Sequence, residues 1–352
     1  MGMEVDFLLI GQGLAGTILA HRLRSAGKQV GIIDLAKENK SSRIAAGLYN
    51  PITGKKLVKT WNADKIFPEI ERLYQELEKE LGVKILYPTA IYRPFLSIEE
   101  QNEWMGYSSE DNFEDYIEEI RTKSYYQEVN DSYGGVLLKN SGYVDINTLL
   151  DAYQQKLIGE RVLLDDAFQE DLLRIREDGV LYKDIKAGAI VYTNGLGAMK
   201  SRFFEKLPFA PVKGEILVLK QPFIPKEIIN RGVFRITLPN GTHRVGSTYS
   251  WDDLDQGPTE RAKKEILEKY EKLIKIPENT IIEHATGIRP ATRDRKPILG
   301  KHPDYRNVYI FNGLGAKGVS LAPYYSLQMR DLLIFDKEVE KDVNISRFFK
   351  YI

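Results

Sequence analysis

The chain has 352 residues, 43% hydrophobic and 28% charged, enough to bury a sizeable core and to divide it between two lobes. Lys plus Arg and Asp plus Glu are both 50, and this zero formal net charge argues against nucleic acid or a membrane surface as a global electrostatic partner. With no cysteine, the composition excludes disulfides, thiolate metal sites, thiol catalysis and a flavin tethered through sulfur.

Residues 5–34 read strand, helix, strand: "VDFLLI", then "LAGTILAHRLRSAG" stopping at Gly27, then "QVGIID". Glu4 and Asp6 precede the first apolar run, where an export signal carries positive charge, and Asp6 stands where a myristoylation signal needs Ser or Thr. No run approaches the ~20 apolar residues of a membrane span, so the expectation is a cytoplasmic protein. Ile66, Ile70, Leu73, Leu77 and Leu81 recur at helical spacing before Gly82 and predict a helix over 63–82. The tyrosine-rich, acidic stretch 87–135 shows no clear period. Beyond it, "YVDINTLLDAYQQKLI" predicts a helix, "RVLLDDAF" and "DLLRIRED" strands, and "AGAIVYTNGLG" a strand ending in glycine. "EILVLK", "GVFRITL" and "HRVGSTY" alternate apolar and polar residues around the turn "PNG", which predicts an antiparallel sheet over 212–250. Thr259 is the expected N-cap of a helix over 259–275, with Ile266, Leu267, Tyr270, Leu273 and Ile274 as its buried stripe. "NVYIFNG" predicts the last strand and 319–334 the last helix. There is no internal repeat and no low-complexity segment.

Gly11, Gly13 and Gly16 give the spacing G-x-G-x-x-G between a strand and a helix: a tight turn, a close approach of backbone to a pyrophosphate, and close helix packing. Asp34 ends the next strand, where a carboxylate accepts hydrogen bonds from an adenosine ribose and repels a ribose phosphate, which disfavours NADP. FAD and NAD share this fingerprint. "SSRIAAGLYNP" at 41–51 offers hydroxyls and small residues suited to backbone lying against a phosphate or a flat ring. Gly313, Gly315 and Gly318 repeat the strand–glycine–helix pattern, yet "DKEVEKDVNISRFFKYI" is too polar and short to supply another strand with an acid at its end. A second nucleotide site is therefore not expected, although the helix start still presents free N–H groups and about half a positive charge. His21, His243, His284 and His302 have no metal-ligand spacing. The chain has no nucleophile elbow and no P-loop lysine, and "GKKLVK" at 54–59 reads as a solvated basic turn.

Taken in order, "GQGLAG", Asp34, "SSRIAAGLYNP", "GYVD", "VYTNGLG", "VKGE", "RVGSTY", "GIRPATRDRKPILG" and "FNGLGAKGVSLAP" resemble the D-amino-acid oxidase, glycine oxidase and sarcosine oxidase family of flavoenzymes. The resemblance implies an α/β fold, α+β in its second lobe: a Rossmann-like FAD-binding domain (1–86, 142–210 and 285–352) with an inserted antiparallel-sheet substrate domain (87–141 and 211–284). It implies FAD, not linked through cysteine, contacting Gly11, Gly13, Leu14, Ala15, Gly16, Asp34, Leu35, Ser41, Ser42, Ala46, Gly47, Leu48 and Phe168. The loop Gly313, Leu314, Gly315, Ala316, Lys317, Gly318 and Val319 would lie against the flavin ring. Asp34 and Phe168 stand where the family more often has Glu and Val.

The implied reaction oxidises an amine carbon by hydride transfer to flavin, with no obligatory side-chain base. Arg289 resembles the family arginine that grips a substrate carboxylate by two prongs, and Lys317 resembles the lysine of sarcosine oxidases, where glycine oxidases often place an arginine. That departure puts glycine itself in doubt as substrate. Tyr249 and Arg235 are candidates for further substrate contacts. The expected partner is a small amine or amino acid. Two other readings stay open: the flavin domain of the bifunctional enzyme of tRNA wobble-uridine modification, and a flavin- or nucleotide-binding redox sensor without turnover.

Overall fold

The computed structural model describes residues 2–35, 41–53, 58–107, 113–254, 257–276 and 280–352. Most of the basic turn 54–59 lies outside them. The predicted unit at the start is present: a strand at Met3–Ile10, a helix at Leu14–Ser25 and a parallel strand at Val30–Asp34. These two strands lie in an eight-stranded sheet whose parallel part runs Leu163–Asp165, Val30–Asp34, Met3–Ile10, Ile185–Tyr192 and Val308–Asn312. Ile185–Tyr192 is shared. Its C-terminal half pairs with Val308–Asn312, while its N-terminal half pairs antiparallel with Gly179–Tyr182, leading to Leu173–Arg176.

Helices Leu14–Ser25, Ala63–Leu81, Ile146–Gly159 and Gly318–Phe335 pack together on one face of this sheet. The predicted stripe of the second helix is buried at Ile66, Ile70, Leu73 and Leu77, and Gly82 closes it in the left-handed conformation that only glycine adopts without strain. Asp145 caps Ile146–Gly159 by accepting the Thr148 N–H, so the helix expected from "YVDINTLL" begins after a short strand, Gly142–Val144. Pro323 sits inside the last helix and cannot donate to the Val319 carbonyl. The buried hydroxyl of Tyr74 donates to it instead, at 2.9 Å.

The second eight-stranded sheet carries the predicted antiparallel alternation and more. Its order is Thr280–Arg289, Val212–Lys220, Thr242–Gly246, Val233–Thr237, Ile228–Arg231, Ile91–Pro94, Gly135–Leu138 and Ile117–Arg121. The stretch without a legible period thus supplies Ile91–Pro94, the edge strand Ile117–Arg121, the start of Gly135–Leu138 and a short helix, Ile98–Tyr107. One face of the sheet is covered by the helix Glu260–Leu273, capped by Thr259 as expected, with Ile266, Tyr270 and Leu273 buried. The other face turns toward the first lobe. After the last helix the chain makes a 3-10 turn at Ile345–Tyr351, and its polar segment forms no strand. Among the described residues no helix is long and apolar enough to cross a membrane.

Candidate active site

The two sheets enclose a cleft of about 1520 Å³, above the range of about 300–1,000 Å³ usual for one small ligand. It has room for a dinucleotide and a substrate together. The N-terminal glycines divide their work. Gly11 has φ +99°, and a Cβ on it would lie 2.8 Å from Asn194 Cα; a Cβ on Gly16 would lie 1.9 Å from the Gly11 carbonyl oxygen. Both therefore serve turn and packing, and Gly16 does not line the cleft. A Cβ on Gly13 would meet only Ser42 Oγ, at 3.3 Å, so this glycine keeps cleft space open. Asp34 accepts the Gln12 N–H at 2.8 Å, and Ser42 Oγ accepts the Leu14 N–H at 3.2 Å, fixing the acid and the 41–44 turn against the helix start.

The described lining includes Gly11, Gly13, Leu14, Ala15, Asp34, Ser41, Ser42, Ala46, Gly47 and Leu48 at this end, and Leu314 to Val319 farther along. Leu35, Phe168 and Gly313 are not brought to it. Phe168 sits in an aromatic cluster, 5.1 Å from Tyr182 and 5.8 Å from Tyr192 between ring centres. Gly313 has φ +74°, and a Cβ there would press Thr292 Cγ2 at 2.8 Å, so it shapes the turn that delivers the loop. Asn194 Oδ1, in the lining, is buried without a hydrogen-bond partner in the protein. The bare Gly13 cradle, the N–H groups at two helix starts and this orphaned acceptor together fit a dinucleotide cofactor of the flavin type.

Arg289 ends the strand Thr280–Arg289, and its guanidinium lies against Gly214, where a Cβ would be 2.0 Å from Nη2. It donates to Ser247 Oγ at 2.8 Å and to the Thr248 carbonyl at 3.2 Å, and its Cζ stands 4.4 Å from the centre of the Tyr249 ring. No carboxylate pairs with it among the described residues; Asp294, its expected structural rival, pairs with Arg347 at 2.9 Å. Burial holds the Arg289 guanidinium below the ordinary arginine range, opposed by Tyr249. A desolvated cation with neutral partners at a cleft wall is matched to an anionic ligand.

Lys317 opens into the same cleft from the turn before the last helix, with Nζ 3.4 Å from Thr53 Oγ1. The surrounding protein, and secondarily Arg295, depresses its pKa below the ordinary lysine range. Tyr249, 57% exposed, also lines the cleft. Arg235 does not. It is wholly buried on the helix-covered face, bound to Tyr270 Oη at 3.2 Å, Gln221 Oε1 at 3.3 Å and the Phe223 carbonyl, so it is a core residue of the second lobe and not a substrate contact.

Two features of "VKGEILVLK" escape a reading of the sequence. Gly214 makes the room in which Arg289 lies. Glu215, 2% exposed, accepts from Thr259 N at 2.8 Å and Thr259 Oγ1 at 3.0 Å and pairs with Lys213 at 3.3 Å, while Lys213 holds the Gly257 carbonyl at 2.8 Å. These bonds fix the start of the helix Glu260–Leu273 on the strand, and the Glu215 N–H donates to Thr248 Oγ1 at 3.0 Å, between Ser247 and Tyr249. A lysine and a glutamate flanking a glycine inside an apolar strand were the available signal.

The model of the family "FAD dependent oxidoreductase" matches residues 6–332. The chain is 24% identical to the glycine oxidase of Bacillus subtilis (strain 168), over 97% of this chain and 96% of that one. Solved structures with the same fold include glycine oxidase from Geobacillus kaustophilus, at TM-score 0.80 and 19% identity, covering 98% of both chains. Iminodiacetate oxidase from Chelativorans sp. BNC1 superposes at TM-score 0.79 and 22% identity, over 97% of this chain and 98% of that one. A bifunctional protein of tRNA 5-methylaminomethyl-2-thiouridine biosynthesis from Leptospira interrogans is 24% identical over 97% of this chain, which spans 59% of its length. The chain belongs to the FAD-dependent oxidoreductase family and is a flavoenzyme of the glycine and amino-acid oxidase type.

Proposed function

We propose that the protein oxidises the carbon–nitrogen bond of a small amino acid or N-substituted glycine, with the substrate carboxylate held by Arg289 and Lys317. The observation that carries this reading is the desolvated Arg289 guanidinium, partnered by neutral groups at the cleft wall. When bound, FAD supplies the hydride acceptor. Gly13, Leu14, Ala15, Asp34, Ser41, Ser42 and the 46–48 turn would hold its nucleotide half, and Leu314 to Val319 its ring. Asp34, the one carboxylate among the described lining residues, stands at the glycine-loop end. No carboxylate faces Arg289 from that lining, and no side-chain base is needed if the amine arrives unprotonated. Tyr249 and Ser247 keep the guanidinium oriented, and position rather than proton transfer is the protein's contribution.

The division into a cofactor lobe (1–86, 142–210 and 285–352) and a substrate lobe (87–141 and 211–284) is part of this proposal. The two sheets support it, with the strand Thr280–Arg289 running across one boundary. A redox sensor without turnover needs no carboxylate clamp, which favours the enzyme. The test is to identify the cofactor of the purified protein and follow anaerobic flavin bleaching by amino acids and N-substituted glycines. Bleaching should be strong with the wild type and weak with Arg289→Met. An unchanged response in that variant would refute the anchor.

A further inference from the structure

We propose that the substrate carries an uncharged, apolar substituent, and that this group lies along a row of the second sheet formed by Ile216, Gly246 and Phe234. The inference deepens the proposed function and rests on it for the carboxylate anchor and the reacting amine. Its first support is register. Ile216 pairs with Gly246 and Gly246 with Phe234, and directly paired residues project to the same face. Their strand neighbours Leu217, Val245 and Val233 belong to the cluster under the covering helix, so the row faces the other way. Phe234 accordingly packs against the core cluster that contains the helices of the first lobe, and all three residues line the cleft.

The second support is the glycine in the middle. A Cβ on Gly246 would lie 2.8 Å from Ile216 Cγ2 and 3.3 Å from Phe234 Cζ. The two apolar side chains therefore approach each other over a bare strand and form one surface with it. That surface spans two strand spacings, about 10 Å at ~4.8 Å per strand. On the far side of Phe234 the next strand brings Asn230 into the row, and there the apolar stretch ends.

The third support is position. The Arg289 guanidinium lies over Gly214, two residues before Ile216 on the same strand, about 7 Å at ~3.4 Å per residue. A carboxylate held there starts its chain at the edge of the row. The residues assigned above to the cofactor, at 11–48 and 314–319, all come from the first lobe, which leaves the row to the substrate. Leu96, 66% exposed, and Tyr249 add bare apolar surface to the lining, which a substituent of the same character would cover.

The test titrates the flavin-loaded protein with acetate, propionate, butyrate and pentanoate, read as perturbation of the flavin spectrum. Affinity should rise about three- to fourfold per added methylene, which places pentanoate at least about tenfold above acetate. Glutarate and its monoamide, of the same length as pentanoate, should bind at least about tenfold more weakly than it, since the row has no polar side chain to answer their far ends. Phe234→Ala should lower the gain per methylene, and Phe234→Leu should keep most of it. A flat series in the wild type would overturn the proposal without reference to any variant, as would glutarate or its monoamide matching pentanoate. A gain per methylene undiminished in Phe234→Ala would overturn it too, as would pentanoate binding that ignores Arg289→Met, because the chain would then lie away from this row. None of these ligands carries an oxidisable amine, so the outcome is independent of turnover. Failure of N-butylglycine to bleach the flavin while the alkanoate series holds would refute the amine reading alone.

Discussion

Arg289→Met removes the charge and keeps much of the side-chain length. In the wild type the guanidinium donates to Ser247 Oγ at 2.8 Å, to the Thr248 carbonyl at 3.2 Å and to the Lys213 carbonyl at 3.5 Å, all neutral acceptors. Truncating one partner of a buried, hydrogen-bonded charge pair costs about 2–5 kcal/mol, and each 1.4 kcal/mol is tenfold. Carboxylate-bearing substrates should therefore bind roughly 30-fold to a few thousandfold more weakly. The cofactor should stay bound, because the arginine's partners among the described residues are Lys213, Ser247, Thr248 and Tyr249, none of them at the glycine-loop end. Gly214→Ala makes the same argument without altering charge. Its Cβ would lie 2.0 Å from Nη2 and 2.3 Å from Cζ, so the guanidinium must leave its place and the variant should phenocopy Arg289→Met. The assay is anaerobic titration of flavin bleaching with an N-substituted glycine and with its amide. Acid and amide should converge in both variants. An acid preference undiminished in either one would refute the reasoning.

The two neighbouring glycines should part company on mutation. Gly13→Val should give folded, colourless protein, since its Cβ meets only Ser42 Oγ, whereas Gly16→Val should unfold the lobe, since its Cβ collides with the Gly11 carbonyl at 1.9 Å; visible absorbance and thermal melting read the two outcomes. Tyr74→Phe should cost about 1–3 kcal/mol in denaturant unfolding, because the Val319 carbonyl loses the donor that replaces Pro323. Lys317→Met should weaken carboxylate ligands and spare the cofactor. Because the Lys317 pKa is depressed by burial, the ammonium's contribution is present below that pKa and fades as pH rises through it. The affinity–pH profile of the wild type should fall on this alkaline side before the ordinary lysine range, and that fall should be missing from the variant. Arg289→Met combined with Lys317→Met should show coupling above roughly 0.5 kcal/mol if both grip one carboxylate.

Local chemistry made the cofactor end of the molecule legible. Gly11, Gly13, Gly16 and Asp34 act within one strand–helix–strand unit, and the stripes of Ala63–Leu81 and Glu260–Leu273 repeat every turn, so their periods survive without knowledge of partners. The strands at 91–94, 117–121 and 135–138 were not legible because their partners are distant: Ile91 pairs with Ile228 and Leu138. Arg235 misled for a related reason. Its polar neighbours Tyr270 and Gln221 come from other elements, and only the assembled core shows a satisfied buried arginine. Gly214 is a third case, since a glycine in a strand gains meaning only when the arginine that fills its place arrives from the adjacent strand.

The most direct test of the account is the spectrum of the purified, flavin-loaded protein mixed anaerobically with N-substituted glycines, followed in a single turnover for the wild type and Arg289→Met. The account predicts rapid bleaching of the wild-type flavin by at least one carboxylate-bearing amine, lost with its amide and slowed severely in the variant. A wild-type flavin that stays oxidised with every such amine, or that is bleached equally by acid and amide, would contradict it.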